Sequence, residues 1–180
     1  MKVRFFMRKK QMVLLLRLPI MVAGLLWLFV GHLEAQQPRV ERLDIVESGF
    51  FVYEPVGIPK ESEQSVGGIV IRPKNMRFLP ESEVKAQIGT SFGARFRSVG
   101  APRDARVTLR TIWRIPAPGV TDPRNGRTYQ ESKSTFVTRI GSDYFSGYGF
   151  NEQWEIVPGV WSLEIWQDDR KLLERKFTIQ

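Results

Sequence analysis

Apolar and polar residues alternate along VTLRTIWRI, from Val107 to Ile115, and this pattern constrains the fold more than any other feature of the chain. The apolar residues Val107, Trp113 and Ile115 lie at odd-numbered positions, whereas Arg110 and Arg114 lie at even-numbered positions. Successive side chains of a β-strand point to opposite faces, so a period of two predicts a strand with one buried face. The stretch therefore predicts a β-strand whose arginines face away from the core.

Shorter alternating runs recur along the chain, while the longer period of helices is scarce. The further predicted strands are 43–53, which opens the domain with Gly49 as its expected bulge, 84–88, 92–97, 136–140, 161–166 and 173–179. Turn-forming pairs separate these runs, namely Asn125-Gly126, Pro158-Gly159 and Asp168-Asp169. About seven to eight short strands with regular turns predict an all-β antiparallel sandwich.

One segment interrupts the pattern. Residues 55–75 are rich in proline, glycine and charge, and we interpret them as a loop-rich insertion with one short strand from Ile69 to Ile71. Residues 76–83 are expected to hold a helical turn at most.

The first 35 residues have the layout of a secretory signal peptide. Five basic residues lie between Lys2 and Lys10, and an uninterrupted apolar run of 14 residues, from Leu18 to Gly31, follows Arg17. A membrane span needs about 20 apolar residues, so a cleavable signal fits better than an anchor. We therefore expect a signal peptide at 1–35 and one domain at 36–180. The mature protein would be periplasmic or secreted, with no stable membrane span.

Removal of residues 1–35 changes the charge and the catalytic inventory. The whole chain has 27 Lys and Arg and 19 Asp and Glu. Residues 1–35 contain six of the basic residues and one of the acidic residues. The remaining 21 against 18 give about +3, so we expect no nucleic-acid partner. The chain has no cysteine, and its one histidine, His32, lies in the segment. Ser-His-Asp triads, Cys-His pairs and ordinary zinc sites are thereby excluded, and we expect neither an enzyme nor a metal or cofactor.

Strand parity separates the tryptophans. Trp113, Trp154 and Trp161 share the parity of their apolar neighbours and are predicted to pack in or against the core. Trp166 shares the parity of Glu164 and is predicted to face outward.

The hairpin that follows decides what Trp166 meets. A three-residue turn, 168–170, would place Trp161 opposite Phe177 and Trp166 opposite Leu172. A two-residue turn would bring charged residues into the core, which costs several kcal/mol for unpaired groups. We therefore expect Trp166 and Leu172 to form an apolar pair on the solvent side, which either another segment covers or a partner contacts.

Six arginines lie between positions 95 and 114. Arg95 and Arg97 share one strand face, as do Arg110 and Arg114 on the next predicted strand. If the two strands are neighbours, their arginines form a basic stripe suited to an anionic glycan, a phosphate or an acidic partner. The alternative is an ordinary charged outer face.

Aromatic residues and glycines are mixed in SDYFSGYGFN, 142–151, which includes Tyr148. This segment is either an aromatic binding loop or a seal at the end of the sandwich. The nearby carboxylates, Glu152, Glu155 and Glu164, are expected to be solvated. Nothing in their spacing places two of them face to face, as a glycosidase requires.

The stretch GYGFNEQWEIVPGVW, from Gly147 to Trp161, resembles a bacterial exported family known only as a domain of unknown function. Phe92 and Gly93 in IGTSFGARFR extend the resemblance, which covers about residues 42–180. It implies an exported protein with an immunoglobulin-like sandwich, and it implies no catalytic or ligand residues. The chain departs from the family pattern at the last turn, where Asp169 stands at a position often held by glycine.

Together these features favour an exported, non-enzymatic binding module of the bacterial cell envelope, with an envelope protein or a glycan as its partner. Its expected contact residues are Trp166, Leu172, Arg110, Arg114 and Tyr148. Two alternatives stay open: a carbohydrate-binding module that uses exposed aromatics, and a carboxylate-dependent hydrolase.

Overall fold

The computed structural model describes residues 37–61, 66–67, 69–79 and 85–180, and these fold almost entirely into β-strands. The predicted signal peptide and Val84 lie outside the described residues. The strands are β1 (Arg39–Glu61), β2 (Ile69–Phe78), β3 (Ser91–Ala101), β4 (Arg106–Arg114), β5 (Val120–Thr121), β6 (Thr128–Tyr129), β7 (Glu131–Arg139), β8 (Asp143–Gly149), β9 (Gly159–Gln167) and β10 (Arg170–Ile179). A short 3-10 helix, Gln153–Glu155, separates β8 from β9.

Eight of these strands form two antiparallel four-stranded sheets, in the orders β2-β1-β3-β8 and β10-β9-β4-β7. The remaining two, β5 and β6, pair with each other between β4 and β7, around the expected Asn125-Gly126 turn. The inner faces of both large sheets supply one hydrophobic core. The predicted all-β antiparallel sandwich is therefore confirmed.

An aromatic cluster joins the two sheets. The ring of Phe92 lies 5.3–5.7 Å, centroid to centroid, from the rings of Trp113, Trp161 and Phe177 on the opposite sheet. Gly93, the next residue, allows β8 to approach β3 closely, because a Cβ there would lie 2.7 Å from the Cα of Gly147. The Phe-Gly pair of the sequence thus serves packing.

The loop predicted for residues 55–75 is wrong for the described part of that segment, although the short strand expected from Ile69 to Ile71 does lie within β2. β1 continues beyond the part that pairs with β3, and its residues 51–61 form an antiparallel hairpin with β2. β2 extends through residues 76–78, where a helical turn at most was expected. Pro55 pairs with Pro73 in this hairpin, and two register shifts interrupt it. The outer strand of a sheet tolerates proline, since one edge needs no backbone hydrogen bonds. Most of the described side chains of the hairpin are exposed, so its sequence has no apolar alternation from which the hairpin could be predicted.

Two smaller expectations at the strand ends are also wrong. Gly49 is not a bulge, since it pairs with Gly93, and the irregularities of this ladder follow Val40 and Ile45 instead. Residues 85–90 form a turn rather than a strand, and Ile88 is 56% exposed. The alternation at 84–88 was too short to distinguish a strand from a chain segment that runs across the surface.

The β9–β10 hairpin combines both turn hypotheses. Its turn has two residues, because Gln167 pairs with Arg170 and Trp166 pairs with Lys171. One extra residue, Leu172, then bulges from β10 and restores the predicted register from Ile165 and Leu173 onward. The bulge keeps Phe177 opposite Trp161, so the apolar residues of β10 reach the core despite the short turn.

Candidate binding surface

The register of the β10-β9-β4-β7 sheet aligns three of its outward side chains in one row. Arg110 of β4 pairs with Trp166 of β9, and Trp166 pairs with Lys171 of β10. Thr135 of β7 completes the row beside Arg110. We call the side of this sheet that faces away from the core the outer face.

Trp166 lies half-buried between two cations on the outer face. The Arg110 guanidinium carbon is 6.0 Å from the centroid of its ring, and the Lys171 Nζ is 5.7 Å away. The indole Nε1 donates a hydrogen bond to Glu164 Oε2 at 3.0 Å. The ring is therefore held in place by its neighbours on the same sheet.

Glu164 lies one row further along the sheet, and it is buried rather than solvated as expected. Its carboxylate forms ion pairs with Arg114 Nη2 and Lys171 Nζ, each at 3.4 Å, and also accepts the hydrogen bond from the Trp166 indole. Burial alone would raise the pKa of Glu164, but the indole hydrogen bond and the two cations outweigh it, and its pKa is lowered. The charged long side chains around it lie over the sheet and close this part of the outer face.

Arg110 and Arg114 differ in their partners. Arg114 forms ion pairs with Glu131 at 2.5 Å and with Glu164. Arg110 donates from Nη2 to the Asp168 carbonyl at 3.0 Å, and its Nε is buried without a hydrogen-bond partner among the described residues. Arg110 thus brings to the row a positive charge that no described carboxylate neutralises by an ion pair.

The outer face as a whole is basic. By strand parity it has more basic than acidic side chains: Arg106, Arg110, Arg114, Lys133, Arg139, Lys171 and Lys176 against Glu131, Glu164 and Glu174. A surface of this kind attracts acidic groups over a distance of several ångströms.

The basic stripe that would join Arg95 and Arg97 to Arg110 and Arg114 if their strands were neighbours does not form. β3 and β4 follow each other in the chain but lie in different sheets. Arg95 forms an ion pair with Glu47 at 2.8 Å, and Arg97 pairs with Asp143 at 2.6 Å. Parity predicted the face of each arginine within its own strand, but it contains no information about which strands are neighbours.

Two of the expected contact residues point away from the outer face. Leu172, as the bulge residue, packs partly buried against the core, so it does not pair with Trp166. Tyr148 is 8% exposed, and its ring centroid lies 4.7 Å from that of Trp161. Burial, together with the nearby Glu155 carboxylate, raises the pKa of Tyr148. The aromatic segment around it closes the sandwich as β8.

The 3-10 helix contains another buried carboxylate. Glu155 is 1% exposed, and its Oε2 accepts hydrogen bonds from the backbone N–H groups of Asn151 and Glu152 at 2.7 and 2.9 Å. Its other oxygen is so close to Gly67 that a Cβ at this position would collide with it. The expectation that Glu155 is solvated is wrong, because its carboxylate closes the helix start. Trp154 packs half-buried against the core, as predicted.

Glu155 and Glu164 are expected to shift stability with pH in opposite directions. Burial raises the pKa of Glu155 above its ordinary 4.5, so its favourable contribution is complete below pH 4.5 and is lost as the pH rises through the raised pKa. Glu155→Gln should therefore gain stability relative to the wild type as the pH rises. Glu164 has a lowered pKa, so Glu164→Gln should be less stable than the wild type at pH 7, by a difference that shrinks as the pH falls. Urea unfolding between pH 3 and 8 measures both slopes, and parallel profiles would contradict them.

Two further classes of site find no support in the described residues. No group of three or more His, Cys, Asp or Glu in this part of the chain is placed to hold a metal ion. None of the helices found there has the length and apolar character to cross a membrane.

Comparison with known proteins places the sandwich in the immunoglobulin-like class. An immunoglobulin-like protein from Pseudomonas aeruginosa superposes with a TM-score of 0.52 at 24% identity, over 80% of this chain and 97% of that one. The model of the family described as "Domain of unknown function (DUF3859)" matches residues 39–179. The chain belongs to this family, which confirms the resemblance found in the sequence.

Other comparisons add nothing to the function. β-Glucosidases from Erythrobacter marinus and Listeria innocua match at 12% and 8% identity with TM-scores of 0.31. They cover 74% and 73% of this chain but only 16% of each enzyme, and a likeness this weak carries no argument. No curated protein matches the chain.

Proposed function

We propose that the protein is an exported, non-enzymatic binding module of the bacterial cell envelope, and that it binds an acidic partner through the outer face. The observation that carries this proposal is the row of Arg110, Trp166 and Lys171 across three adjacent strands. Tryptophan and arginine are the residues most often found at the energetic centre of protein interfaces. Here a tryptophan already fixed in position stands beside an arginine that lacks an ion pair.

The chemistry of the remaining residues supports binding rather than catalysis. The domain after residue 35 has neither histidine nor cysteine. Its two buried glutamates already have structural partners, because Glu155 accepts backbone hydrogen bonds and Glu164 receives two cations and an indole. The basic, apolar and small-residue pattern of residues 1–35 supports export.

The nature of the row also favours an acidic partner over a neutral sugar. Sugar sites use tryptophan rings as open apolar platforms, whereas cations lie near the ring of Trp166. A carboxylate, phosphate or sulfate group of a partner would meet both the cations and the edge of the ring. If the protein is a carbohydrate-binding module, these charges favour acidic glycans as its ligands.

Capture of partners from an envelope extract tests the proposal. The immobilised protein should retain a partner that Trp166→Ala and Lys171→Glu both lose, and retention should weaken with salt because the contact is between charges. Arg97→Ala is the matched control, since it removes an arginine from the outer side of the opposite sheet. Partners unchanged in both outer-face variants would contradict the proposal. Tryptophan fluorescence titrated with neutral and acidic glycans identifies the carbohydrate alternative if a glycan shifts the spectrum of the wild type but not of Trp166→Ala.

A further inference from the structure

β7 is a regular strand with an open edge. It pairs with β4 without a register shift from Glu131 to Arg139, and it contains neither proline nor glycine. It is the last strand of its sheet, so its other side has no strand partner in the part of the chain that the structure describes. Edge strands of natural proteins are commonly protected by prolines, bulges or charged side chains. Two of the other edges have a proline or a bulge, namely Pro73 in β2 and the Leu172 bulge in β10, whereas β7 has only charged side chains, and these are of both signs.

The backbone hydrogen bonds at both ends of β7 show which of its N–H and C=O groups face the open edge. Ile115 N–H donates to the Gln130 carbonyl at 2.9 Å, and Ile140 N–H donates to the Ala105 carbonyl at 3.0 Å. Backbone groups alternate sides along a strand, so the even-numbered residues of β7 bond to β4. The N–H and C=O groups of its odd-numbered residues therefore face the open edge. These residues are Glu131, Lys133, Thr135, Val137 and Arg139.

We propose that this edge binds a second copy of the chain, with the two β7 strands antiparallel about a two-fold axis at Thr135. In this register Glu131 lies opposite the partner's Arg139, and Lys133 lies opposite the partner's Val137. All five odd-numbered residues then form hydrogen-bonded pairs with the partner strand. The opposite charges at the two ends form two symmetric ion pairs, and Val137, which is 55% exposed, is covered by the stem of a lysine.

Charge selects this register over its neighbours. Only registers that oppose odd-numbered residues to each other bring the open backbone groups together, so the alternatives differ by two residues. A shift of two in one direction places Lys133 opposite the partner's Arg139, and a shift of four in the other places Lys133 opposite the partner's Lys133. Both juxtapose like charges, which is destabilising in a cross-strand pair. A shift of two residues in the direction that brings the two Lys133 residues together leaves Arg139 without an opposite residue on the partner's β7, so its charge is unpaired.

The dimer would continue the β10-β9-β4-β7 sheet through the two-fold axis into the same sheet of the partner. The two outer faces would then form one basic surface with two rows of Arg110, Trp166 and Lys171. This arrangement follows from the edge of β7 alone and does not depend on what the outer face binds.

The mass of the purified protein in solution tests the proposal. Sedimentation or light scattering should give twice the chain mass for the wild type and the chain mass for Thr135→Pro. A proline at this position removes an N–H group that β4 does not use, so the monomer should keep its fold and its far-ultraviolet circular dichroism. Thr135→Val keeps the N–H group and should remain dimeric. A wild type that stays monomeric at high concentration, or a Thr135→Pro variant that stays dimeric, would overturn the proposal.

A cysteine scan fixes the register, because the chain has no cysteine of its own. Hydrogen-bonded antiparallel pairs have Cα atoms about 5.5 Å apart, within the range for a disulfide, so Thr135→Cys should form a covalent dimer on mild oxidation. Lys133→Cys is the control, since the two copies of this residue would lie on the order of 13 Å apart along the ladder. Equal cross-linking of both variants, or cross-linking of Lys133→Cys alone, would exclude this register. Arg139→Glu should also give monomers, and Glu131→Arg combined with Arg139→Glu should restore the dimer.

Discussion

Replacement of Trp161 by alanine is expected to lower the free energy of unfolding by about 3–5 kcal/mol, the usual loss for a large aromatic side chain in a core. Trp161 is fully buried, and its ring lies 4.7–5.7 Å from those of Phe92, Tyr148 and Phe150. Its indole N–H donates to the Val157 carbonyl at 2.8 Å, and this acceptor would lose its buried partner.

Trp166→Ala is the matched control, because it removes the same side chain from the outer face of the same strand. Its half-buried ring should contribute about 1 kcal/mol, since neighbouring side chains fill the space and water replaces the lost contacts. Guanidinium unfolding monitored by circular dichroism measures both losses. A loss for Trp166→Ala that equals or exceeds that for Trp161→Ala would contradict the assignment of the two faces.

Deletion of Glu164 from β9 is expected to be severely destabilising, whereas deletion of Leu172 from β10 should be tolerated. β9 pairs with β4 on one side and with β10 on the other, so loss of Glu164 shifts Leu163 and Trp161 by one position against β4, which the bulge in β10 does not compensate, and turns both side chains outward. Full exposure of these two side chains costs about 3–6 kcal/mol in total.

Deletion of Leu172 removes only the bulge. Lys171 would still pair with Trp166, and Leu173 would still pair with Ile165, so the register of the strand is retained. The expected loss is about 1–1.5 kcal/mol for one partly buried leucine. Thermal unfolding of the two deletion variants compares them directly. If both deletions unfold the domain, or if deletion of Glu164 is the milder of the two, the bulged register is wrong.

Alternation was sufficient to predict the sandwich because it reports a local property. Side chains on β4 and β9 alternate between core and surface, so parity placed Trp113 and Trp161 inside and Trp166 and Arg110 on the opposite face. The β1–β2 hairpin was not predicted, because a strand pair with little buried surface has no apolar period to detect.

The composition of the candidate site could be predicted only in part. Arg110 and Trp166 were identified, but their contact depends on β4 and β9 being neighbours, which no local pattern encodes. Lys171 was missed because a bulge allowed the short turn that charge burial had argued against. The two turn hypotheses exclude each other only if β10 is regular, and the bulge at Leu172 removes that conflict.

The stretch from Gly147 to Trp161 shows the same division between packing and surface. Its aromatic residues left a binding loop open as one hypothesis, but Tyr148, Phe150 and Trp161 are in the core and the Glu155 carboxylate caps the start of a helix. The residues that make the stretch recognisable therefore stabilise the fold. The surface proposed to bind lies just beyond it, where β9 ends and β10 begins.

Photo-crosslinking in living cells tests the proposed binding surface most directly. A photo-reactive aromatic amino acid at Thr108 would lie exposed on the outer face beside Arg110, and one at Arg97 would lie on the outer side of the opposite sheet. We predict a discrete adduct with a partner from position 108 that Trp166→Ala abolishes, and no such adduct from position 97. The absence of an adduct at 108, equal adducts at both positions, or an adduct at 108 that persists in Trp166→Ala would contradict the assignment of the outer face as the binding surface.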